Sequence, residues 1–207
     1  MFELFFREIR RKSFHLTGSL IPIVYYFLSK ETAVLGLSVI NLILFLMEWL
    51  RLKGKITLPE MLLRPHENKQ VAAYIYFQMA ALFSIILFDK TVAIAAILML
   101  AIGDTVSGLA GSLIKGGNVR SKDKRFAIKP FPIMAAMFLA CVAIGLIFLS
   151  LPLAQDMIHL SYYVYIAGAL GATLGDAVAV RIKGRVVDDN LMIPLVAGVF
   201  MTATGFG

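Results

Sequence analysis

The sequence predicts an all-α polytopic membrane protein with about seven transmembrane helices, organised as a single domain over residues 1–207. Three observations predict it. Hydrophobic residues make up 59% of the chain and the mean hydropathy is +0.83, well above the apolar share of an ordinary soluble domain. The apolar residues fall into seven runs, roughly 13–29, 32–50, 71–88, 91–113, 130–151, 160–180 and 191–206, each near the ~20 residues that cross a ~30 Å hydrocarbon core. The third observation is where the cations fall.

Numbering the loops by alternate sides gathers 18 of the 20 Lys and Arg on one side. That side receives Arg7, Arg10, Arg11 and Lys12, then Arg51, Lys53, Lys55, Arg64 and Lys69. It also receives Lys115, Arg120, Lys122, Lys124, Arg125 and Lys129, then Arg181, Lys183 and Arg185. Lys30 and Lys90 are left on the other. The positive-inside rule makes the first side cytoplasmic and puts the N-terminus there. Basic loops so placed also contact anionic membrane lipids. Nucleic acid is not expected as a partner, because no soluble module exists to carry it.

The elements follow in order. The first run enters from a basic cluster through His15, and no small-residue cleavage site follows it, so a retained helix is expected rather than a cleaved leader. The second carries Glu48 near its inner end, and RPHENK at 64–69, with Arg64 and Glu67, precedes the third. The fourth, TVAIAAILMLAIGDTVSGLAGSLI, holds Asp104, although a charge near a membrane-helix centre costs roughly 2.5–3.5 kcal/mol on insertion scales. Asp104, Gly108, Gly111 and Lys115 share one helical stripe, and Gly103, Ser107 and Gly111 form a small-residue stripe beside it. Loop KGGNVRSKDKRFAIK follows, with two glycines for a flexible turn and six cations, a candidate triphosphate clamp. The fifth run contains Cys141, the only cysteine, so no internal disulfide forms. The sixth, GATLGDAVAVRIKG at 171–184, repeats the acid puzzle with Asp176 on a stripe with Gly168 and Ala172. Asp188, Asp189 and Asn190 open the seventh.

Intramembrane ionisable groups mark sites or ion paths. One acid would suffice to cap the last helix. Two acids and an amide beside Lys183 and Arg185 fit a metal-and-phosphate arrangement, and oxygen ligands of this kind suit Mg²⁺. His15, Glu48, Arg64 and Glu67 lie at the same membrane level and are substrate-side candidates. The three histidines lack i,i+4 spacing, which argues against zinc. No GxxxxGK[ST] phosphate loop and no soluble-kinase signature occurs.

RRKSFHLTGSLIPIVYYF, RPHENKQVAAYIYF, GDTVSGLAG and DDNLMIPLVAG resemble segments of the CTP-dependent lipid alcohol kinases: dolichol kinase, phytol kinase and CTP-dependent diacylglycerol kinase. The last segment is the most specific, and the likeness spans residues 11–200. The resemblance implies a phosphotransferase that uses CTP and Mg²⁺ on a long-chain lipid alcohol of polyprenol, dolichol or geranylgeraniol type, at the cytoplasmic membrane interface. It implies Asp104, Asp176 and Asp189 as catalytic residues, and Asp104, Asp176, Asp188 and Asp189 as metal ligands. Ser107, Gly108, Gly111, Lys115, Lys129, Lys183, Arg185 and Asn190 would then contact the nucleotide. Lys129 is followed by PFPI, where the family has Lys-Thr-x-Glu-Gly, and Asp176 stands where glutamate is common. Two alternatives remain open. A CDP-lipid synthase matches the Asp176–Lys183 spacing but has arginine where this chain has Gly184. A proton- or ion-coupled transporter would use Asp104 and Asp176, but the outer half offers it little beyond Lys30, Asp89, Lys90 and Asp156.

Overall fold

The computed structural model describes residues 8–9, 12–13, 15–59, 63, 67, 70–114, 128–152, 156–178, 181–182 and 185–205, with 181–182 and 185–186 as backbone only. Its class is all-α. Helical segments coincide with the apolar runs: α1 (Thr17–Phe27, opening as a 3₁₀ turn), α2 (Lys30–Leu52), α3 (Ala73–Leu87), α4 (Lys90–Leu113), α5 (Phe131–Ser150), α6 (Tyr162–Ala177) and α7 (Asp189–Gly205). By length and composition, α2, α4 and α5 are long and apolar enough to cross a membrane. The helices α1, α3, α6 and α7 are shorter. A 16-residue helix such as α6 is ~24 Å long at 1.5 Å per residue.

Local chemistry sets the helix ends. Ser29 turns the chain out of α1 and caps α2, its hydroxyl accepting from the Thr32 N–H. α2 ends in a Schellman motif: Lys55 N–H donates to the Leu50 carbonyl and Gly54 N–H to that of Arg51. Gly54 takes a φ of 70°, a conformation glycine adopts without steric cost.

α4 is the central helix. Within its most apolar stretch 78% is buried, against 22% for α2, and it packs on α1, α3, α5 and α7. Every residue from Lys90 to Ile97 is buried, so alanine and valine serve all faces where no side is free for lipid. α2 rests chiefly on α3 and presents Leu35, Leu42 and Leu46 outward. α6 and α7 form the tightest pair, because Gly171 and Gly175 let the α7 backbone approach. A methyl at Gly175 would stand 3.0 Å from Ile193 Cα.

The two ends of the bundle differ in chemistry. At one end Lys90 Nζ donates to the Leu28 carbonyl (2.9 Å) and to Asp156 Oδ2 (2.7 Å), and lies over the Tyr25 ring. Lys30 reaches the Phe88 carbonyl, and Thr91 exchanges hydrogen bonds with the Ile158 backbone. These contacts tie chain turns together. Asp104 lies fourteen residues along the same helix, ~21 Å away at the helical rise.

Candidate functional site

Asp104 sits at the joint of α4. Residues Met99–Gly103 form a π turn, and regular helix resumes at Asp104. Such turns arise where packing forces an extra residue into the helix, often at functional sites. Gly103 permits the crowding here: a methyl on it would lie 2.8 Å from Cys141 Sγ and 2.9 Å from Met137 Sδ of α5.

Asp176 occupies the last turn of α6, and Asp189 the first turn of α7. The turn between them contains a two-residue antiparallel pairing, Arg181–Ile182 with Arg185–Val186, which returns the chain to the same end. One carboxylate oxygen from each of Asp104, Asp176 and Asp189 lies within 4.8 Å of the other two. Asp104 and Asp176 are buried, and Asp189 is half-buried.

Cations and hydroxyls surround the three acids. Lys129 Nζ lies 2.6 Å from Asp176 Oδ1, while Ser107 Oγ donates to Asp176 Oδ2 at 2.6 Å. The backbone places that lysine: Ile128 bridges Val178, and Lys129 N–H donates to the Ala177 carbonyl. Burial works against the Lys129 charge, but Asp176, Asp189 and Asp104 outweigh it and hold its pKa above the ordinary lysine value. On the other flank Lys12 Nζ lies 2.5 Å from Asp104 Oδ2, and His15 Nε2 lies 3.2 Å from the same oxygen. The His15 ring stands edge-on to Phe77.

Asp188 takes a different position from its neighbour. Its side chain accepts from the Asn190 N–H at 3.0 Å, and its carbonyl receives the Leu191 and Met192 N–H groups. It therefore caps α7, and it is not among the three clustered acids. Asn190 is buried and donates to the Ala73 carbonyl, while its Oδ1 has no hydrogen-bond partner among the described residues. Pro194 lacks the N–H that would bond to the Asn190 carbonyl.

The expected site residues thus divide. Asp104, Asp176, Asp189, Ser107, Lys129 and His15 come together, and the buried glycines Gly108 and Gly111 continue from Ser107 along α4. Glu48 and Glu67 meet around Arg51. The Glu48 carboxylate accepts two bonds from Arg51 (2.7 and 2.8 Å), one from the Ala72 N–H and one from Tyr74 OH. Arg51 also donates to the Glu67 and Gln70 carbonyls. This network clamps the segment before α3 onto the end of α2. Lys115, Lys183 and Arg64 lie outside the described residues, as does the Arg185 side chain. Lys12 is the one member that a reading of the loops as topology misses. Its signal was the Lys12–His15 spacing, which puts both on one helical face.

The donor set fits a hard divalent cation. Three carboxylates are oxygen ligands of the type Mg²⁺ takes. Around an octahedral Mg²⁺ adjacent ligands stand ~3.0 Å apart and opposite ones ~4.2 Å, so the three oxygens, within 4.8 Å of one another, would have to draw together by side-chain rotation to hold one ion. Comparison with protein families, curated proteins and solved structures finds no match to this chain.

Proposed function

We propose that this chain is a multi-pass membrane phosphotransferase that moves the γ-phosphoryl group of CTP to the hydroxyl of a long-chain lipid alcohol of polyprenol or dolichol type. The observation that carries the reading is the meeting of Asp104, Asp176 and Asp189 with Lys12 and Lys129 at one end of an apolar bundle. A site for phosphoryl transfer needs this mixture, since its chemistry is positioning and charge neutralisation.

In this reading all seven helical segments cross the bilayer, with the shorter ones accommodated by local thinning. The N-terminus and the acid end face the cytoplasm, where the basic loops gather and CTP is supplied. Asp104, Asp176 and Asp189 would hold Mg²⁺. Such an ion would supply charge neutralisation for the nucleotide phosphates. Lys129, a cation at neutral pH, neutralises the triphosphate from the α5 side. Ser107 holds Asp176 in place. The lipid chain lies between helices, and its hydroxyl reaches the acids from the membrane. The hydroxyl oxygen attacks the γ-phosphorus, its new P–O bond forms as the bond to the β,γ-bridging oxygen breaks, and CDP leaves. The hydroxyl proton passes to a carboxylate of the cluster.

Purified protein with lipid alcohol, Mg²⁺ and γ-labelled CTP tests the proposal, with ATP, GTP and UTP beside it. Label in the lipid from CTP supports it. Pyrophosphate release with phosphatidate and α-labelled CTP would favour the CDP-lipid synthase instead. Neither reaction, with cation uptake into vesicles, would favour a transporter.

A further inference from the structure

Lys12 belongs to a basic run that topology alone would explain. An orientation charge normally extends its stem to the headgroups or to water. This one turns inward: Lys12 is 3% exposed and its ammonium lies on Asp104. Its path crosses Gly108 of α4, where a methyl would stand 2.4 Å from Lys12 Cε and 3.1 Å from its Nζ. The missing side chain at Gly108 is the slot through which the lysine reaches the acids. A buried ammonium loses its hydration, so its place needs anionic partners.

The acid cluster is therefore flanked by two lysines, Lys12 on Asp104 and Lys129 on Asp176. Resting on the kinase reading, we propose that Lys12 is a triphosphate ligand delivered to the site by the N-terminal segment. When a divalent cation takes the carboxylates, Asp104 no longer serves the ammonium alone. The Glu8 carboxylate also borders the slot, 3.1 Å from a methyl at Gly108. A phosphate on the same cation then adds a further anion within reach, and a lysine is a compact charge on a flexible stem able to follow it. Two lysines on opposite flanks would hold the triphosphate from both sides.

The test is binding of labelled CTP with Mg²⁺ to the full-length protein in detergent, without lipid, alongside KM values and thermal midpoints. Lys12→Met is expected to raise the apparent Kd for CTP at least tenfold and to leave the KM for lipid within twofold. Gly108→Ala, whose methyl fills the slot, is expected to do the same, and adding it to Lys12→Met should bring no further rise. Lys53→Ala, at the end of α2, is the control and should bind as wild type does. If Lys12→Met does not fold, Gly108→Ala decides. CTP binding within twofold of wild type in the variants, with only a lower thermal midpoint, would make Lys12 a structural counter-ion and overturn the proposal. Wild type that transfers phosphate while Lys12→Met is unchanged removes Lys12 alone. Wild type that neither binds CTP nor phosphorylates lipid removes the kinase reading, and this assignment with it.

Discussion

Lys129 Nζ lies 2.6 Å from Asp176 Oδ1, and this contact fastens the segment before α5 to the end of α6. The Asp176 side chain is fully enclosed, and Ser107 takes its second oxygen. The acid is thus held from two elements at once, and the pair serves both the fold and the charge balance of the site.

Removing the cation alone strands a buried carboxylate. Lys129→Met should therefore cost about 3–5 kcal/mol, the usual consequence of breaking a buried pair. Lys129→Met combined with Asp176→Asn removes both charges and should recover most of that loss. Thermal or denaturant unfolding in detergent reads the cycle. A double variant no more stable than Lys129→Met would mean that the lysine stabilises through its stem. Phosphoryl transfer should stay lost in the recovered double variant.

The Glu48–Arg51 pair makes a contrasting prediction. Among the described residues this carboxylate accepts four bonds, from Arg51, Ala72 and Tyr74. Glu48→Gln should lower the unfolding midpoint and leave the kcat of the folded fraction within twofold. A large fall in kcat at an unchanged midpoint would return Glu48 to the substrate side of the site.

Glycines separate close packing from open surface. At Gly171 a methyl would stand 2.8 Å from the Val196 carbonyl oxygen and 3.1 Å from Ala197 Cα, both backbone atoms that cannot turn aside. Gly171→Ala should destabilise by about 1–3 kcal/mol, as overpacking does. At Gly36, in α2, a methyl would meet nothing within 4 Å among the described residues. Gly36→Ala should be neutral or stabilise by up to about 1 kcal/mol through backbone entropy. Unfolding midpoints in one detergent compare the two, and equal effects would contradict the tight α6–α7 seam.

Topology is open to direct labelling. In a Cys141→Ser background, cysteines placed at Lys55 and at Ile158 should react with a membrane-impermeant thiol reagent from opposite sides, Lys55 from the cytoplasmic one. Reaction of both from the same side would sink the alternation of basic loops.

The helices were legible in the chain because apolar periodicity and length are local properties. Each of the seven runs carries its own helical segment, and Ser29 and Gly54 mark an N-cap and a C-cap by their own chemistry. The acids were legible too, since Asp104 and Asp176 interrupt apolar sequence where a charge needs a reason. Which polar groups would meet was another matter. Asp188 and Asp189 are adjacent and alike, yet one caps α7 and the other joins the cluster, because a helix start points successive side chains about 100° apart. Glu48 looked like a site residue and clamps the segment before α3, because Ala72 and Tyr74 reach the local Glu48–Arg51 pair only when α3 packs on α2. Lys12 looked like orientation charge and lies on Asp104, 92 residues away, because Gly108 leaves room for its stem. Contacts of that separation depend on how helices pack, and packing is a property of the assembled bundle rather than of any one run.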